Sequence, residues 1–368
     1  MVMTLTKGLD FRLPEYRREV FLRFFEFHLK YRAHAGAVYY VFPYLAEQGD
    51  WTMEEKLWFA YLNGNTQNPV TSYIIFNRYR TIPDDLNEMG EWFHSEKVYR
   101  NLGFDTDRRH HKKSLMSHVE NYKGLLKGQT QEEYFGQYLK HGEYANFKKL
   151  WDVVSNRFLS FGRLSTFSYL EYLRIMGLNL DCDELFLDDM QGSKSHRNGL
   201  CKVMGRDDLD WHQDNPGFNG VYSTGLLSEL EMEAAQLLDE SKTRMRGAEY
   251  EKDISYFTLE TALCTYKSWH RKNRRYPNVY NDLLHNRIKH AEERWIRPRF
   301  KVFWDARKAY LPDNLLLEKN PLDVGCVPEK QNHYRTTGQV IMMERDWGCF
   351  ENDYSKRRIT AASTLWTL

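Results

Sequence analysis

Residues 253–290 read DISYFTLETALCTYKSWHRKNRRYPNVYNDLLHNRIKH, and their pattern indicates two helices joined by a basic hinge. Leu259, Leu263 and Tyr266 recur at the spacing of one helical face. This spacing predicts a helix from about residue 254 to residue 270 with that face buried. The remainder of the chain repeats the same helical period, and it has no series of alternating strand-like segments.

A second stripe of the same predicted helix carries chemically versatile side chains: Glu260, Cys264, Lys267 and Arg271. Glu260 and Lys267 are seven residues apart, which is about 10 Å along a helix axis. That separation is too long for a direct ion pair. We therefore expect room for a ligand between the carboxylate and the ammonium group.

Positive charge is concentrated downstream of this stripe. Residues 267–308 contain 13 Lys and Arg against 4 Asp and Glu, a net charge of +9, whereas the whole chain has +1. The interleaved aromatic residues include Tyr276, Tyr280, Trp295 and Trp304. Cations beside aromatic platforms suit phosphate contacts and base stacking, and the alternative is an ordinary solvated helical face.

Composition and length limit the protein class. The chain has 368 residues, 42% hydrophobic and 28% charged, so it is long enough for a sizeable core. No apolar run approaches the roughly 18 residues of a membrane span, and five cysteines without CxxC spacing indicate free thiols. We predict a cytoplasmic, mainly α, multi-helix globular protein with a helical catalytic domain over residues 1–311. An irregular C-terminal arm over residues 312–368 is predicted to pack on that domain.

Three further segments carry candidate binding residues. The amides of Asn63, Asn65 and Gln67 lie in a predicted loop, where each matches the donor and acceptor edge of a base, although a polar turn is the alternative. Arg157 and Arg163 flank a turn at Gly162 and are placed to share one anion, unless they are plain surface arginines. The predicted loop 192–199, GSKSHRNG, offers Lys194, His196 and Arg197 to a phosphate but lacks P-loop spacing.

Four motifs resemble the bacteriophage amino acid:DNA transferases, also described as alpha-glutamyl/putrescinyl thymine pyrophosphorylases. They are AYLNGNTQNPVTS (60–72), SFGRLSTFSYLEYL (160–173), GSKSHRNGLC (192–201) and ETALCTYKSW (260–269) followed by RKNRRYPNVYNDLLHNRI (271–288). The resemblance spans most of residues 15–300. It implies an all-helical fold distantly similar to helical DNA glycosylases, and an enzyme that works on phage DNA in the host cytoplasm.

The resemblance also implies a reaction. A 5-hydroxymethyluracil in DNA first receives a phosphate or pyrophosphate. The transferase then displaces that group with the amine of an amino acid or polyamine, forming a C–N bond at the 5-methylene carbon. The partners are DNA containing the modified uracil and the amine donor. No cofactor is expected, no metal-ligand spacing occurs, and Mg²⁺ on the leaving phosphate stays open.

This chemistry assigns roles to the candidates. Glu260 is the first choice of base for the amine and Asp282 the second, with Lys267 near the leaving group. Cys264 is a candidate nucleophile at C6 of the uracil, and its alternative role is that of a small buried apolar residue. The phosphate and DNA contacts are predicted to be Arg157, Arg163, Lys194, His196, Arg197, Arg271, Arg274, Arg275 and Arg287. The flipped base is predicted to meet Asn63, Asn65, Gln67, Tyr276 and Tyr280.

Two other function classes stay open. A non-catalytic DNA-binding protein would use the same basic and aromatic face, but it gains nothing from an inward carboxylate such as Glu260. A helical DNA glycosylase-like enzyme would need an aspartate placed to activate water. The sequence does not identify the amine donor, the leaving group, the DNA sequence preference or the oligomeric state.

Overall fold

The structure is a computed structural model that describes residues 14–188, 194–210, 221–268, 279–295, 300–312 and 315–316. The chain is mainly α-helical and forms no β-strand within those ranges, which confirms the predicted fold class. No helix in the described part is long and apolar enough to cross a membrane. The predicted arm over residues 312–368 lies almost wholly outside the described residues, so the boundary at residue 311 stays a prediction.

In chain order the described α-helices are α1 (Pro14–Tyr31), α2 (Val38–Gln48), α3 (Met53–Thr66), α4 (Pro69–Arg78), α5 (Leu86–His94), α6 (Glu96–Asn101), α7 (Leu115–Leu126), α8 (Gln131–Gly136), α9 (Glu143–Arg157), α10 (Arg163–Ile175), α11 (Lys194–Val203), α12 (Thr224–Arg244), α13 (Tyr256–Ser268), α14 (Val279–Arg294) and α15 (Lys301–Tyr310). They group into two compact units. One takes its described residues from Met1–Ala37, Asp183–Leu283 and Tyr310–Leu368, and the other comprises Val38–Cys182 and Leu284–Ala309.

The first unit is built on the pair α11 and α13, with α1 and α12 packed beside it. The predicted apolar face of α13 is buried: Leu259, Leu263 and Tyr266 have no exposed surface. The Tyr266 ring meets Phe21 of α1 edge-on, with centroids 5.3 Å apart. The adjacent stripe of α13, which carries Glu260, faces α11, where Glu260 lies against His196.

The second unit is organised around α3. Thr52 caps this helix in a reciprocal arrangement with Glu55, and the second half of the helix is buried between α4 and α10. Tyr61 of α3 stacks on Tyr122 of α7 with ring centroids 3.8 Å apart and an interplanar angle of 9°. Because no gap remains between two rings stacked this closely, the contact fixes the position of α3 relative to α7.

The structure corrects two predicted loops. Residues 63–66 belong to α3, which ends at Thr66 and is followed by Gln67 in the left-handed conformation (φ 51°). Asn68 then caps α4 as predicted. Residues 194–199 belong to α11. Asn, Ser and Gly are poor helix formers. In both segments tertiary packing overrides that preference, since both helices are buried along most of these residues.

Candidate active site

Glu260 and His196 form a buried pair between α13 and α11. Oε1 of Glu260 lies 3.1 Å from Nδ1 of His196, and the two residues are 6% and 0% exposed. The other ring nitrogen, Nε2, is 2.8 Å from the carbonyl oxygen of Leu185. A carbonyl oxygen only accepts hydrogen bonds. Nε2 therefore carries a proton, and Nδ1 is the atom that faces the carboxylate.

The contact places a carboxylate oxygen at ion-pair distance from an imidazole nitrogen. Because Nε2 is protonated, the ring is a cation whenever Nδ1 also carries a proton, and a cationic ring attracts the Glu260 carboxylate. A carboxylate held in this way is able to take a proton from a substrate and return it, as general acid–base catalysis requires.

Lys267 lies on the same edge of α13 and also has a partner on α11. Its Nζ donates to Oγ of Ser195 at 2.8 Å, and both side chains are half-buried. Cys264 lies between Glu260 and Lys267 and is half-buried as well. The predicted stripe of carboxylate, thiol and ammonium is therefore present along one edge. The sequence did not reveal that α11 supplies a partner for Glu260 and another for Lys267, the residues at the two ends of this stripe.

The segment expected to be a phosphate loop is largely internal. Lys194 is exposed at the start of α11, whereas His196 and Arg197 are fully buried, because a helix turns them inward. Arg197 donates from Nη1 to the carbonyl oxygen of Leu187 at 2.7 Å, and its guanidinium lies 4.3 Å above the Tyr222 ring. The predicted phosphate contacts of these residues stay predictions.

The predicted base-binding amides belong to the second unit, and each has an internal contact. Oδ1 of Asn63 accepts from Oγ of Ser72, and Oε1 of Gln67 accepts from the Tyr172 hydroxyl at 2.8 Å. Nδ2 of Asn63 and Nε2 of Gln67 are buried without a hydrogen-bond partner within the described residues. The structure does not show what these two donors bind, so base binding by the three amides stays a prediction.

Arg108 is a buried cation that sequence reasoning missed. The basic run RRHHKK (108–113) favours a solvated or phosphate-facing segment, but Arg108 is fully buried. It donates to Oδ1 of Asn65 at 2.9 Å and to the carbonyl oxygen of Ser160 at 2.8 Å. Burial lowers the pKa of the Arg108 guanidinium, and burial also lowers the pKa of His118, which lies 2.9 Å from the same Asn65 oxygen, to about 4. No local sequence signal distinguishes Arg108 from the exposed Arg109.

The remaining candidates are distributed as follows. Arg157 is exposed, Arg163 is half-buried with its guanidinium 4.8 Å above Phe167, and Arg287 pairs with Asp105 at 2.5 Å. Tyr280 is half-buried on α14. Arg271, Arg274, Arg275, Tyr276 and the side chain of Asp282 lie outside the described residues. Among the residues that the structure covers, no group of three or more His, Cys, Asp or Glu side chains is arranged to hold a metal ion.

An inward carboxylate–imidazole pair on the same helix edge as a lysine is an arrangement suited to acid–base chemistry. The family model described as amino acid:DNA transferase matches residues 38–275. A serinyltransferase of Salmonella phage ViI is 30% identical over 288 residues, which cover 76% of this chain and 68% of that relative. No solved structure matches the chain. The chain therefore belongs to the amino acid:DNA transferase family, and the resemblance drawn from its motifs is confirmed.

Proposed function

We propose that this transferase acts on 5-phosphomethyl- or 5-pyrophosphorylmethyl-deoxyuridine in DNA and replaces the phosphate group with the amine of an amino acid or polyamine. The C–O bond to the leaving phosphate breaks with its electron pair, and a C–N bond forms at the 5-methylene carbon. Family membership supports the substrate classes, DNA and an amino acid. The observation that carries the chemistry is the 3.1 Å approach of Glu260 and His196.

The amine donor needs a base. An amino group is protonated near neutral pH and has no lone pair for attack until that proton leaves. In the proposed reaction the Glu260 carboxylate takes the proton. His196 acts as a positioning residue, because its Nε2 is tied to the carbonyl oxygen of Leu185 and its Nδ1 lies 3.1 Å from the carboxylate.

Departure of the phosphate group requires positive charge close to its oxygen atoms. Lys267 and the exposed Lys194 are two of the cations on the helices that carry the pair. A cation fixed beside the departing oxygen stabilises charge that develops only in the transition state. Mg²⁺ bound by the phosphate itself would serve the same purpose, so activity is to be measured with and without it.

The activity for which the phage relative is named directs the choice of donor. That relative is a serinyltransferase, so serine is the first donor to test on this chain. Because that relative comes from a phage, we further propose that the present enzyme modifies phage DNA during infection. A modified thymine base in duplex DNA is inaccessible within the stack, so the proposal includes extrusion of the target nucleotide.

Cys264 offers a second chemical route. Its half-buried thiol is one helical turn from Glu260. Addition of the thiolate to C6 of the uracil would place electron density at C5 and expel the phosphate, leaving an exocyclic methylene. The amine would add there, and the thiolate would leave. Direct displacement at the methylene carbon requires no thiol, and the two routes are separated by a Cys264 variant.

The decisive experiment uses the purified protein with duplex DNA that contains 5-phosphomethyl- or 5-pyrophosphorylmethyl-deoxyuridine. Serine, the other amino acids and polyamines are supplied singly, and the DNA is digested to nucleosides for mass spectrometry. The expected mass change is loss of the phosphate group and gain of one amine. Recovery of the intact phosphorylated nucleoside with every donor, from protein shown to be folded and bound to that DNA, would overturn the proposed reaction.

A further inference from the structure

The turn between α9 and α10 displays two large apolar side chains. Leu159 in the turn is 45% exposed and Leu164 at the start of α10 is 40% exposed, whereas Phe158 and Phe161 in the same segment are buried. The phenylalanines belong to the aromatic cluster around Tyr61, with the Phe161 and Tyr61 rings parallel to within 10°. The buried phenylalanines thus anchor the segment to the core, while the two leucines are exposed to solvent.

Hydrogen bonds hold the backbone of this turn. The N–H of Leu159 donates to Oδ1 of Asn121 at 2.9 Å, and the carbonyl oxygen of Ser160 accepts from the buried Arg108 at 2.8 Å. Ser160 has a positive φ of 61°, which is uncommon for a residue with a side chain. A conformation fixed in this way presents Leu159 at a defined position with little further loss of conformational entropy on binding.

Basic side chains flank the exposed leucines along the chain and in the turn bonded to Ser160. Arg157 is exposed immediately before the turn, and Arg163 follows it. The 3₁₀ turn Thr106–His110, which Arg108 connects to Ser160, adds the exposed Arg109 and His110. Asp107 of the same 3₁₀ turn accepts a hydrogen bond from Ser165 of α10. Apolar tips flanked by positive charge match duplex DNA, where phosphates border the base stack.

We propose that this turn opens the DNA duplex: Leu159 inserts between bases, and the flanking arginines hold the adjacent phosphates. Apolar wedges of this kind separate stacked bases in other DNA-binding proteins, and leucine is among the residues used. The inference rests on the proposed function, because base extrusion is needed only for chemistry on a base in duplex DNA. It assigns to Arg108 a positioning role, since Arg108 fixes the carbonyl oxygen of Ser160.

The test compares Leu159→Ala with Met232→Ala, a matched change at a 57% exposed apolar residue on α12. The first readout is fluorescence of 2-aminopurine placed next to the modified uracil in a duplex, without an amine donor. The second readout is kcat/KM for transfer to duplex and to single-stranded DNA. For Leu159→Ala we expect loss of the fluorescence increase and a fall of about tenfold in kcat/KM on duplex DNA, with less than about a twofold change on single strands. Met232→Ala should behave like the unaltered protein.

Several results would overturn the inference. These are an unchanged fluorescence increase with Leu159→Ala, equal losses on duplex and single-stranded DNA, or an unaltered protein that binds duplex without any fluorescence increase. The fluorescence readout needs no transfer. A fluorescence increase that depends on Leu159 therefore supports the inference even where no amine is transferred, so failure of the proposed reaction is distinguished from failure of the wedge.

Discussion

Gly199 of α11 lies directly against the backbone of Leu263 in α13. A Cβ atom built on Gly199 would lie 2.2 Å from the carbonyl oxygen of Leu263. The two helix backbones approach this closely only because residue 199 has no side chain. The same close approach allows Glu260 and His196, which lie nearby on the two helices, to come within 3.1 Å of each other.

The first prediction concerns this contact. Gly199→Ala should lower the free energy of unfolding by roughly 1–3 kcal/mol, because a backbone oxygen cannot move aside for the added methyl group. The measurement is chemical denaturation. Gly124→Ala in α7 is the matched control, since nothing lies within 4 Å of its added Cβ, and it should instead raise stability by about 0.5–1 kcal/mol. Equal stabilisation by both changes would contradict the close packing of α11 on α13.

The second prediction concerns the proposed base. Glu260→Gln keeps the shape of the side chain but removes the carboxylate, so transfer should slow by about 10²–10⁴-fold. Affinity for DNA should stay unchanged or improve, because a negative charge is lost. Steady-state transfer and DNA-binding titrations test the two parts, with the exposed Glu231→Gln as control. A variant that retains near-normal turnover would exclude Glu260 as the base.

A third prediction separates the two chemical routes at Cys264. Cys264→Ser removes the thiolate, and a covalent route should then lose most of its activity, whereas direct displacement should be nearly unaffected. Cys201→Ser is the comparison, because burial raises the pKa of the Cys201 thiol to about 12 and leaves it protonated and unreactive. Near-normal turnover of the Cys264 variant would remove covalent catalysis from the mechanism.

The fourth prediction is a dependence of stability on pH. Burial lowers the pKa of His118 to about 4 and that of His34 to about 3, while an unfolded histidine has a value near 6.5. As the pH falls, these two histidines therefore take up protons at a higher pH in the unfolded chain than in the folded one. The contribution of these histidines to the free energy of unfolding is fully present above about pH 6.5 and is lost as the pH falls through 4 toward 3. The share of His118 is roughly 3 kcal/mol as an upper limit.

Denaturant unfolding between pH 7 and pH 4 measures this effect. His118→Gln retains a donor for Asn65 but does not titrate, so its stability should change less with pH than that of the unaltered protein. His110→Gln alters an exposed residue and should keep the original slope. A His118 variant whose slope equals the original would show that His118 is not the titrating group.

Part of the structure follows from local pattern alone. The helical period of residues 253–268 correctly predicted the buried face of α13 and, by the same geometry, the edge that carries Glu260, Cys264 and Lys267. The motifs correctly indicated the amino acid:DNA transferase family. Such features are readable because helix periodicity fixes which side chains share a face, whatever the partner of that face is.

Tertiary structure decided the rest. The sequence did not pair Glu260 with His196, because the two residues belong to separate helices that meet only after packing. It did not reveal that Arg108 is buried while Arg109 is exposed, since burial depends on Asn65 and Ser160, which are remote in the chain. It also placed residues 63–66 and 194–199 in loops, because their amides, serines and glycines disfavour helices in isolation. Burial against neighbouring helices outweighs that intrinsic preference, and only the folded chain supplies those neighbours.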